Sequence, residues 1–276
     1  MKLKLSIVSI LAVVGCFGAF ACQGNIAPTL NAPVKANASP VVEPAREKTD
    51  NLPNVQNVTI VSADQLPLAG TLFGSSKAGS AAVLLLHQFG SDRHSYDSFA
   101  KRLQAVGFSV LSIDGRGFGE STKTAEGKTI GPSRTNESVR AMNGDVAAAY
   151  EFLAKQKNVD PARIAIVGAS YGSSLALIYG AENKSVKAVA LLSPGLNYFG
   201  NMPTEPAVGK FGDRALLMVA AEDDKESADT VRKLKATGAN DKYETQIYPK
   251  GGHGTGLFAA KVGLEDLLEQ FLKKTL

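Results

Sequence analysis

The chain has 276 residues, of which 44% are hydrophobic and 20% are charged, and this composition is typical of an ordinary globular protein. The formal net charge is +4, and Lys2 and Lys4 lie in a segment that we expect to be removed. Without these two lysines the net charge is +2. Nucleic-acid binding requires a strongly basic surface, which so small a charge does not predict, and we therefore expect no nucleic-acid partner.

The first 22 residues predict an export signal. Lys2 and Lys4 form a short basic region, and residues 5–21 follow without a charge. A run this short and this rich in small residues is typical of a secretory signal rather than of a membrane span. An uncleaved N-terminal anchor is the alternative interpretation.

Two processing sites compete within this segment. Val13-Val14-Gly15-Cys16 resembles a bacterial lipobox, whereas Ala19-Phe20-Ala21 is an A-x-A site that precedes Cys22. Lipid on Cys16 or Cys22 would attach the protein to a membrane. These are the only cysteines, so the mature domain has no disulfide framework and no cysteine nucleophile. We expect an exported protein, either lipid-anchored in the cell envelope or periplasmic or extracellular.

Residues 23–54 predict a flexible linker. They are rich in Ala, Asn and Pro and lack a periodic apolar face, so they cannot bury enough surface to offset the entropy of ordering. The folded catalytic domain is therefore expected to cover residues 55–276.

Strand and helix patterns alternate along this domain, which predicts an α/β fold with a mainly parallel sheet and helices on both faces. Ligands bind such sheets at the carboxyl ends of the strands, and every candidate residue below follows a strand. The predicted strands cover residues 58–61, 68–73, 81–87, 108–113, 163–167, 186–192, 215–220 and 243–248, and the predicted helices lie near 96–106, 139–153, 173–179, 227–236 and 264–271.

The most informative motif is Gly168-Ala169-Ser170-Tyr171-Gly172, which lies between an apolar strand pattern and a helical pattern. A G-x-S-x-G in this context is a nucleophile elbow, a tight turn that presents a serine hydroxyl at the end of a sheet. The glycines are required because the crowded turn leaves no room for Cβ atoms. Ser170 is the candidate nucleophile.

A serine hydroxyl becomes nucleophilic when a neighbouring base removes its proton. The chain has three histidines. His253 lies in a glycine-rich loop between the final strand and the final helix and is the candidate base, with a solvated loop histidine as the alternative. His87 ends a strand and is expected to brace the next turn, and His94 is expected at the surface.

A carboxylate must orient the base, and the candidates follow strand 215–220 as Glu222-Asp223-Asp224. All three could instead form a polar loop. We prefer Asp224 over Asp223, and the resulting order Ser170, Asp224, His253 is the one expected for a nucleophile-elbow fold. The oxyanion hole is expected from two backbone N–H groups, those of Tyr171 and Phe89.

These residues make the domain similar to the α/β-hydrolase fold serine hydrolases, of the cap-less type that includes esterases and dienelactone hydrolases. A second similarity is Asp114-Gly-Arg-Gly-Phe-Gly-Glu-Ser121, which resembles the D-x-R-G-x-G-x-S loop that many members carry after the fourth strand. The resemblance implies that Asp114 and Arg116 hold loops together. Two departures are Gln88, where members often have glycine, and Ala221, which replaces a common glycine before the acid.

Many relatives insert a helical cap between the sixth and seventh strands of the sheet, but the corresponding segment here, Pro194–Arg214, has 21 residues and is too short for one. We therefore expect an active site that is open to solvent. Tyr198, Phe199 and Met202 are candidate pocket walls, with loop anchoring as the alternative, and the polar loop 122–136 is a candidate lip of the site.

The resemblance implies a serine hydrolase that cleaves a carboxylic ester or a related acyl bond of a small-molecule substrate through an acyl-enzyme, with no cofactor. Three histidines without clustered acids predict no metal site. The alternatives are a serine peptidase of the same fold and a non-catalytic, surface-anchored binding module.

Overall fold

The structure is a computed structural model that describes residues 54–238 and 240–276. The predicted signal with Cys16 and Cys22, and the predicted linker as far as residue 53, lie outside the described residues. The first strand begins at Val55, the position at which the sequence pattern changes. None of the helices that the structure describes combines the length and the apolar character needed to cross a bilayer.

The described chain alternates strands with helices, as the hydrophobic pattern predicts. The strands are β1 (Val55–Val61), β2 (Pro67–Phe73), β3 (Ser80–Leu86), β4 (Ser109–Ile113), β5 (Val159–Ala169), β6 (Val186–Leu192), β7 (Asn197–Tyr198), β8 (Met202–Pro203), β9 (Ala215–Ala221) and β10 (Tyr243–Tyr248). The helices are α1 (Asp97–Ala105), α2 (Asn136–Ala154), α3 (Tyr171–Glu182), α4 (Glu205–Phe211), α5 (Lys225–Gly238), α6 (Gly256–Ala259) and α7 (Leu264–Thr275).

Eight strands form one sheet in the order β1-β2-β4-β3-β5-β6-β9-β10. The pairs β1/β2 and β2/β4 are antiparallel, and the other neighbours are parallel. The prediction of a mainly parallel sheet is therefore confirmed. Because β3 to β10 run in the same direction within this sheet, the loops that follow these strands meet at one edge.

Helices cover both faces of the sheet, also as predicted. Successive side chains of a strand point to opposite faces, so β3 divides between two apolar clusters. Leu84 and Leu86 pack in the cluster that contains residues of α2, α3, α4 and α5. Val83 and Leu85 pack in the cluster that contains residues of α1, α6 and α7.

The segment between β6 and β9 holds no cap domain, and instead carries the β7–β8 hairpin and α4. Met202 in this hairpin is fully buried against the core, so it anchors the loop and is not a pocket wall. The sequence pattern did not show these short elements, because a two-residue strand and a two-turn helix are too short for a clear periodicity.

Two smaller expectations differ from the structure around α1. Val106 is 41% exposed, because α1 ends one residue earlier at Ala105 and leaves Val106 outside the buried stripe. His94 is only partly at the surface, because its Nδ1 lies 3.0 Å from Oδ2 of Asp97 and its side chain is 24% exposed.

Candidate active site

The turn between β5 and α3 has a strained backbone that its glycines make possible. Ser170 has a φ of 53° and a ψ of −124°, a region that non-glycine residues rarely occupy. A Cβ on Gly168 would overlap the carbonyl of Gly172, and one on Gly172 would lie 2.5 Å from the carbonyl oxygen of His87. Close packing of strand against helix therefore requires both glycines, as the motif predicts.

The structure brings Ser170, His253 and Asp224 together from the ends of three strands. Ser170 Oγ lies 2.7 Å from His253 Nε2, and His253 Nδ1 lies 2.7 Å from Asp224 Oδ2. A carboxylate oxygen accepts, so Nδ1 carries the hydrogen and Nε2 is left to accept the hydroxyl proton of Ser170. The arrangement has the geometry of a serine nucleophile, a base and an orienting acid.

Asp223, the acid that the sequence could not separate from Asp224, has a different set of partners. Its Oδ1 accepts the backbone N–H groups of Gly251 and Gly252, each at 3.1 Å. These hydrogen bonds lower the pKa of Asp223. Asp223 therefore braces the loop that carries His253, while Asp224 contacts the imidazole.

Two further side chains hold this loop, and sequence reasoning did not assign them that role. Ser193 is buried at the end of β6, and its Oγ accepts the N–H of Gly254 at 2.8 Å. Gln88 Oε1 accepts the N–H of Thr255 at 2.7 Å and its hydroxyl at 3.2 Å. The glutamine that replaces the common glycine thus links the turn after β3 to the loop of the base.

His87 is buried, and it braces the next turn as the sequence predicts. Its Nε2 accepts the N–H of Gly115 at 2.9 Å, and its Nδ1 donates to the carbonyl of Gln88 at 2.8 Å. Burial lowers the pKa of His87, so folding favours the neutral form of the ring.

We predict that His87 makes the folded protein less stable as the pH falls from 7 to 5. The unfolded chain binds a proton on His87 below a pH of about 6.5, whereas the folded protein resists it, so protonation favours unfolding by up to about 1.4 kcal/mol per pH unit. Urea unfolding at several pH values should therefore give a steeper loss for the wild type than for His87→Gln.

His94 acts in the opposite direction, because Asp97 raises its pKa and its stabilisation is lost as the pH rises above about 6.5. His94 is present in both the wild type and His87→Gln, so the difference between their curves of unfolding free energy against pH reports His87 alone. Parallel curves would contradict the prediction.

Asp114 and Arg116 hold loops together, as the resemblance implies, and neither contacts the serine or its base. The buried Asp114 pairs with Arg93 and accepts the N–H of Glu120 at 2.8 Å. Arg116 Nη2 lies 2.6 Å from Asp145, and its Nη1 lies 2.9 Å from Asp64. The Arg116 guanidinium holds the pKa of Asp64 well below its usual range.

The two backbone groups predicted for the oxyanion hole have no acceptor within residues 54–238 and 240–276. The N–H of Tyr171 follows the nucleophile at the first position of α3, where no helical partner exists. The N–H of Phe89 lies in the turn after β3, and the Phe89 and Tyr171 rings pack 5.8 Å apart. This ring contact holds the two segments side by side.

An aromatic wall, formed by Phe89, Tyr171, Tyr198 and Phe199, lies beside the nucleophile. Phe199 packs 5.2 Å from Phe89 and 6.2 Å from Tyr171. The Tyr198 hydroxyl donates to the carbonyl of Ser193 at 2.9 Å, and burial raises the pKa of Tyr198. Tyr198 and Phe199 therefore lie beside the elbow residue Tyr171 and pack partly against the core, and their role as pocket walls stays a prediction.

The polar loop 122–136 reaches this wall through Arg134. Its guanidinium carbon lies 4.4 Å from the centre of the Phe89 ring and 5.0 Å from that of Phe199. Within the described part of the chain, no cluster of His, Cys, Asp or Glu could hold a metal ion.

Known proteins with similar sequences include members of a hydrolase family. The model of a hydrolase family described as serine aminopeptidase, S33, matches residues 77–216, which include Ser170 and end before Asp224. An uncharacterized protein of Mycobacterium tuberculosis strain H37Rv is 27% identical over 254 residues, covering 86% of this chain and 85% of that protein. The polyketide transferase claH of Penicillium crustosum is 29% identical over 147 residues, covering 52% of this chain and 45% of that protein.

Solved structures of several hydrolases share the architecture. Acetyl xylan esterase 1 of Thermoanaerobacterium sp. has a TM-score of 0.67 and 16% identity, covering 83% of this chain and 86% of its own. The dienelactone hydrolase of Anabaena variabilis has a TM-score of 0.61 and 19% identity, with coverage of 81% and 100%. Because the identities are this low, these likenesses concern the fold. The chain belongs to the serine aminopeptidase S33 family of hydrolases and has the α/β-hydrolase fold without a cap domain.

Proposed function

We propose that this hydrolase is a serine esterase, which cleaves a carboxylic ester or a related acyl bond through an acyl-enzyme. The observation that carries the proposal is the hydrogen-bonded chain from Ser170 through His253 to Asp224, with 2.7 Å at each contact. The α/β-hydrolase fold and the esterases among the structural neighbours support it.

In the proposed mechanism, Ser170 Oγ attacks the ester carbonyl carbon while its proton passes to His253 Nε2. The tetrahedral oxyanion accepts the N–H groups of Phe89 and Tyr171. The carbon–oxygen bond to the alcohol then breaks, and the alcohol leaves with the proton from Nε2. Water, deprotonated by Nε2, attacks the acyl-enzyme, and breakdown of the second intermediate returns the proton to Ser170.

Asp224 holds the imidazole in the tautomer that this sequence of steps needs, and stabilises the positive charge that His253 carries after each proton transfer. Asp223 acts indirectly, because its hydrogen bonds to Gly251 and Gly252 position the loop.

A serine peptidase is the second candidate, because the family model is described as a serine aminopeptidase. An aminopeptidase needs a carboxylate for the free amino group of its substrate. In the loop after β9, Glu222 pairs with Arg232, Asp223 accepts two backbone N–H groups, and Asp224 contacts His253. No carboxylate of this loop remains for an amino group, and this favours the ester.

One experiment separates the candidates. The purified full-length protein is treated with a fluorophosphonate probe and assayed on p-nitrophenyl butyrate and on aminoacyl p-nitroanilides. An esterase is labelled and hydrolyses the ester, with little activity on the anilides. Preference for the anilides would favour the peptidase, and a folded protein that is neither labelled nor active would favour the binding module.

We also propose that the protein is exported and attached to a membrane through lipid on Cys16 or Cys22. Expression with Cys16→Ser or Cys22→Ser, followed by membrane fractionation, should move one variant to the soluble fraction. Equal membrane association of both single variants and of the double variant would contradict lipid attachment.

We predict that Gln88 positions the base loop for this reaction. Gln88→Ala removes the acceptor of two Thr255 donors, and an unsatisfied donor costs about 1–3 kcal/mol, so kcat should fall about tenfold while KM changes little. Gln88→Glu keeps an acceptor oxygen at the same reach and should retain more activity than Gln88→Ala. Steady-state kinetics on the ester test this, and equal activities of both variants and the wild type would refute it.

A further inference from the structure

Arg134 is a cation at the aromatic wall without a carboxylate partner in the described part of the chain. Its side chain is exposed, and its guanidinium lies over both Phe89 and Phe199. Most other arginines of the described residues are neutralised. Those that contact a carboxylate are Arg93, Arg102, Arg116, Arg163 and Arg232.

The packing places Arg134 at the site rather than elsewhere on the surface. Phe89 carries one of the proposed oxyanion donors, and Phe199 packs against Tyr171, the residue after the nucleophile. The carbonyl of Arg134 accepts from Asn201 Nδ2 at 3.0 Å, which ties the end of the 122–136 loop to the hairpin that carries Phe199. The cation is therefore held on the aromatic wall that includes Tyr171, the residue after the nucleophile.

The contact with the rings leaves the hydrogen-bonding capacity of Arg134 available. A guanidinium that stacks on an aromatic ring uses its flat face, and its N–H groups point outward in the plane. Two of these donors match the two oxygens of a carboxylate.

We propose that Arg134 binds a carboxylate of the substrate, so that the preferred substrate is an ester that carries a free carboxylate in addition to the bond that is cleaved. This inference rests on the proposed esterase function and names its substrate class. The carboxylate can belong to the acyl part or to the alcohol part, and the experiment separates the two.

The test measures kcat/KM for matched pairs of charged and neutral esters. For the acyl part, p-nitrophenyl hemiglutarate is compared with its methyl ester, and for the alcohol part, 4-acetoxybenzoate is compared with its methyl ester. For one of the two pairs, the wild type should have the higher kcat/KM on the charged ester. Arg134→Gln should lower the ratio of kcat/KM on the charged ester to kcat/KM on the neutral ester about tenfold. Arg134→Lys, which keeps the charge and loses the planar fork, should give an intermediate ratio.

Arg140→Gln is the matched control, because Arg140 is an exposed arginine on α2 outside the aromatic wall and the change in net charge is the same. Its charged-to-neutral ratio should equal that of the wild type. The wild-type preference should also weaken from 20 mM to 500 mM salt, because salt screens an exposed charge pair. A ratio that Arg134→Gln leaves unchanged for both pairs would overturn the inference while ester hydrolysis itself continued.

Binding gives a readout that does not depend on turnover. Monomethyl glutarate is titrated into Ser170→Ala and into Ser170→Ala with Arg134→Gln by calorimetry. Weaker binding to the double variant supports the carboxylate site even if no ester is hydrolysed, in which case the esterase proposal alone fails. The same titration with 4-acetoxybenzoate covers a carboxylate on the alcohol part, and equal binding of both ligands to the two proteins counts against the site.

Discussion

Replacing Ser170 by alanine should abolish turnover, with kcat lower by about 10⁴- to 10⁶-fold. The hydroxyl supplies the attacking oxygen, and no other group at the site can form the acyl-enzyme. Within the described residues, Ser170 Oγ has one hydrogen-bond partner among the catalytic candidates, His253, so its removal should leave the thermal midpoint within a few degrees, about the effect of 1 kcal/mol or less. Ester hydrolysis and fluorophosphonate labelling measure the loss.

The matched control is Ser173→Ala, because Ser173 lies one turn into the same helix and its hydroxyl donates to the carbonyl of Ser170 at 2.5 Å without contacting His253. It should still be labelled by the probe. Labelling that persists in Ser170→Ala would place the reactive group elsewhere and would refute the proposed mechanism.

Replacing Asp224 by asparagine should lower kcat by about 10⁴-fold, the cost of the corresponding change in a serine protease triad. An amide offers an N–H where the carboxylate accepted, so the imidazole turns to the wrong tautomer and the charge on His253 loses its counter-charge. The measurement is kcat on p-nitrophenyl butyrate, with circular dichroism as the check of folding.

Asp223→Asn is the comparison, because it makes the same chemical change one residue away. Its remaining amide oxygen can still accept from Gly251 and Gly252, so kcat should fall by less than about tenfold. The opposite result, a large loss in Asp223→Asn and a small one in Asp224→Asn, would reverse the roles of the two acids.

Much of the fold could be predicted because its determinants are local. The apolar run of β3, with all seven residues buried, and the regular spacing of Val139, Met142 and Val146 on α2 report the environment of each element directly. The elbow is local only in part. A Cβ on Gly168 would overlap Gly172 where β5 meets α3, but a Cβ on Gly172 would meet the carbonyl oxygens of Leu86 and His87 at the end of β3.

The departures have equally physical causes. The predicted helix near 96–106 extended to Val106, but hydrophobic periodicity does not mark the residue at which a helix ends, and α1 ends at Ala105. Met202 was a candidate pocket wall, because a loop methionine can pack against either ligand or core, and its burial depends on the β7–β8 hairpin.

The sequence alone determined the helices and strands, the class of sheet, the elbow motif and the candidate groups for each catalytic role. Each of these can be recognised from residues within a few positions of one another in the chain. The tertiary structure alone decided three further features, because each depends on a contact between segments that are far apart in the chain. They are the separate roles of Asp223 and Asp224, the hydrogen bond between Gln88 and Thr255, and the stacking of Arg134 on Phe89 and Phe199. Ser170 and His253 are 83 residues apart in the chain and 2.7 Å apart in the site. That contact follows from how β5 and β10 align in one sheet, and no local pattern encodes that alignment.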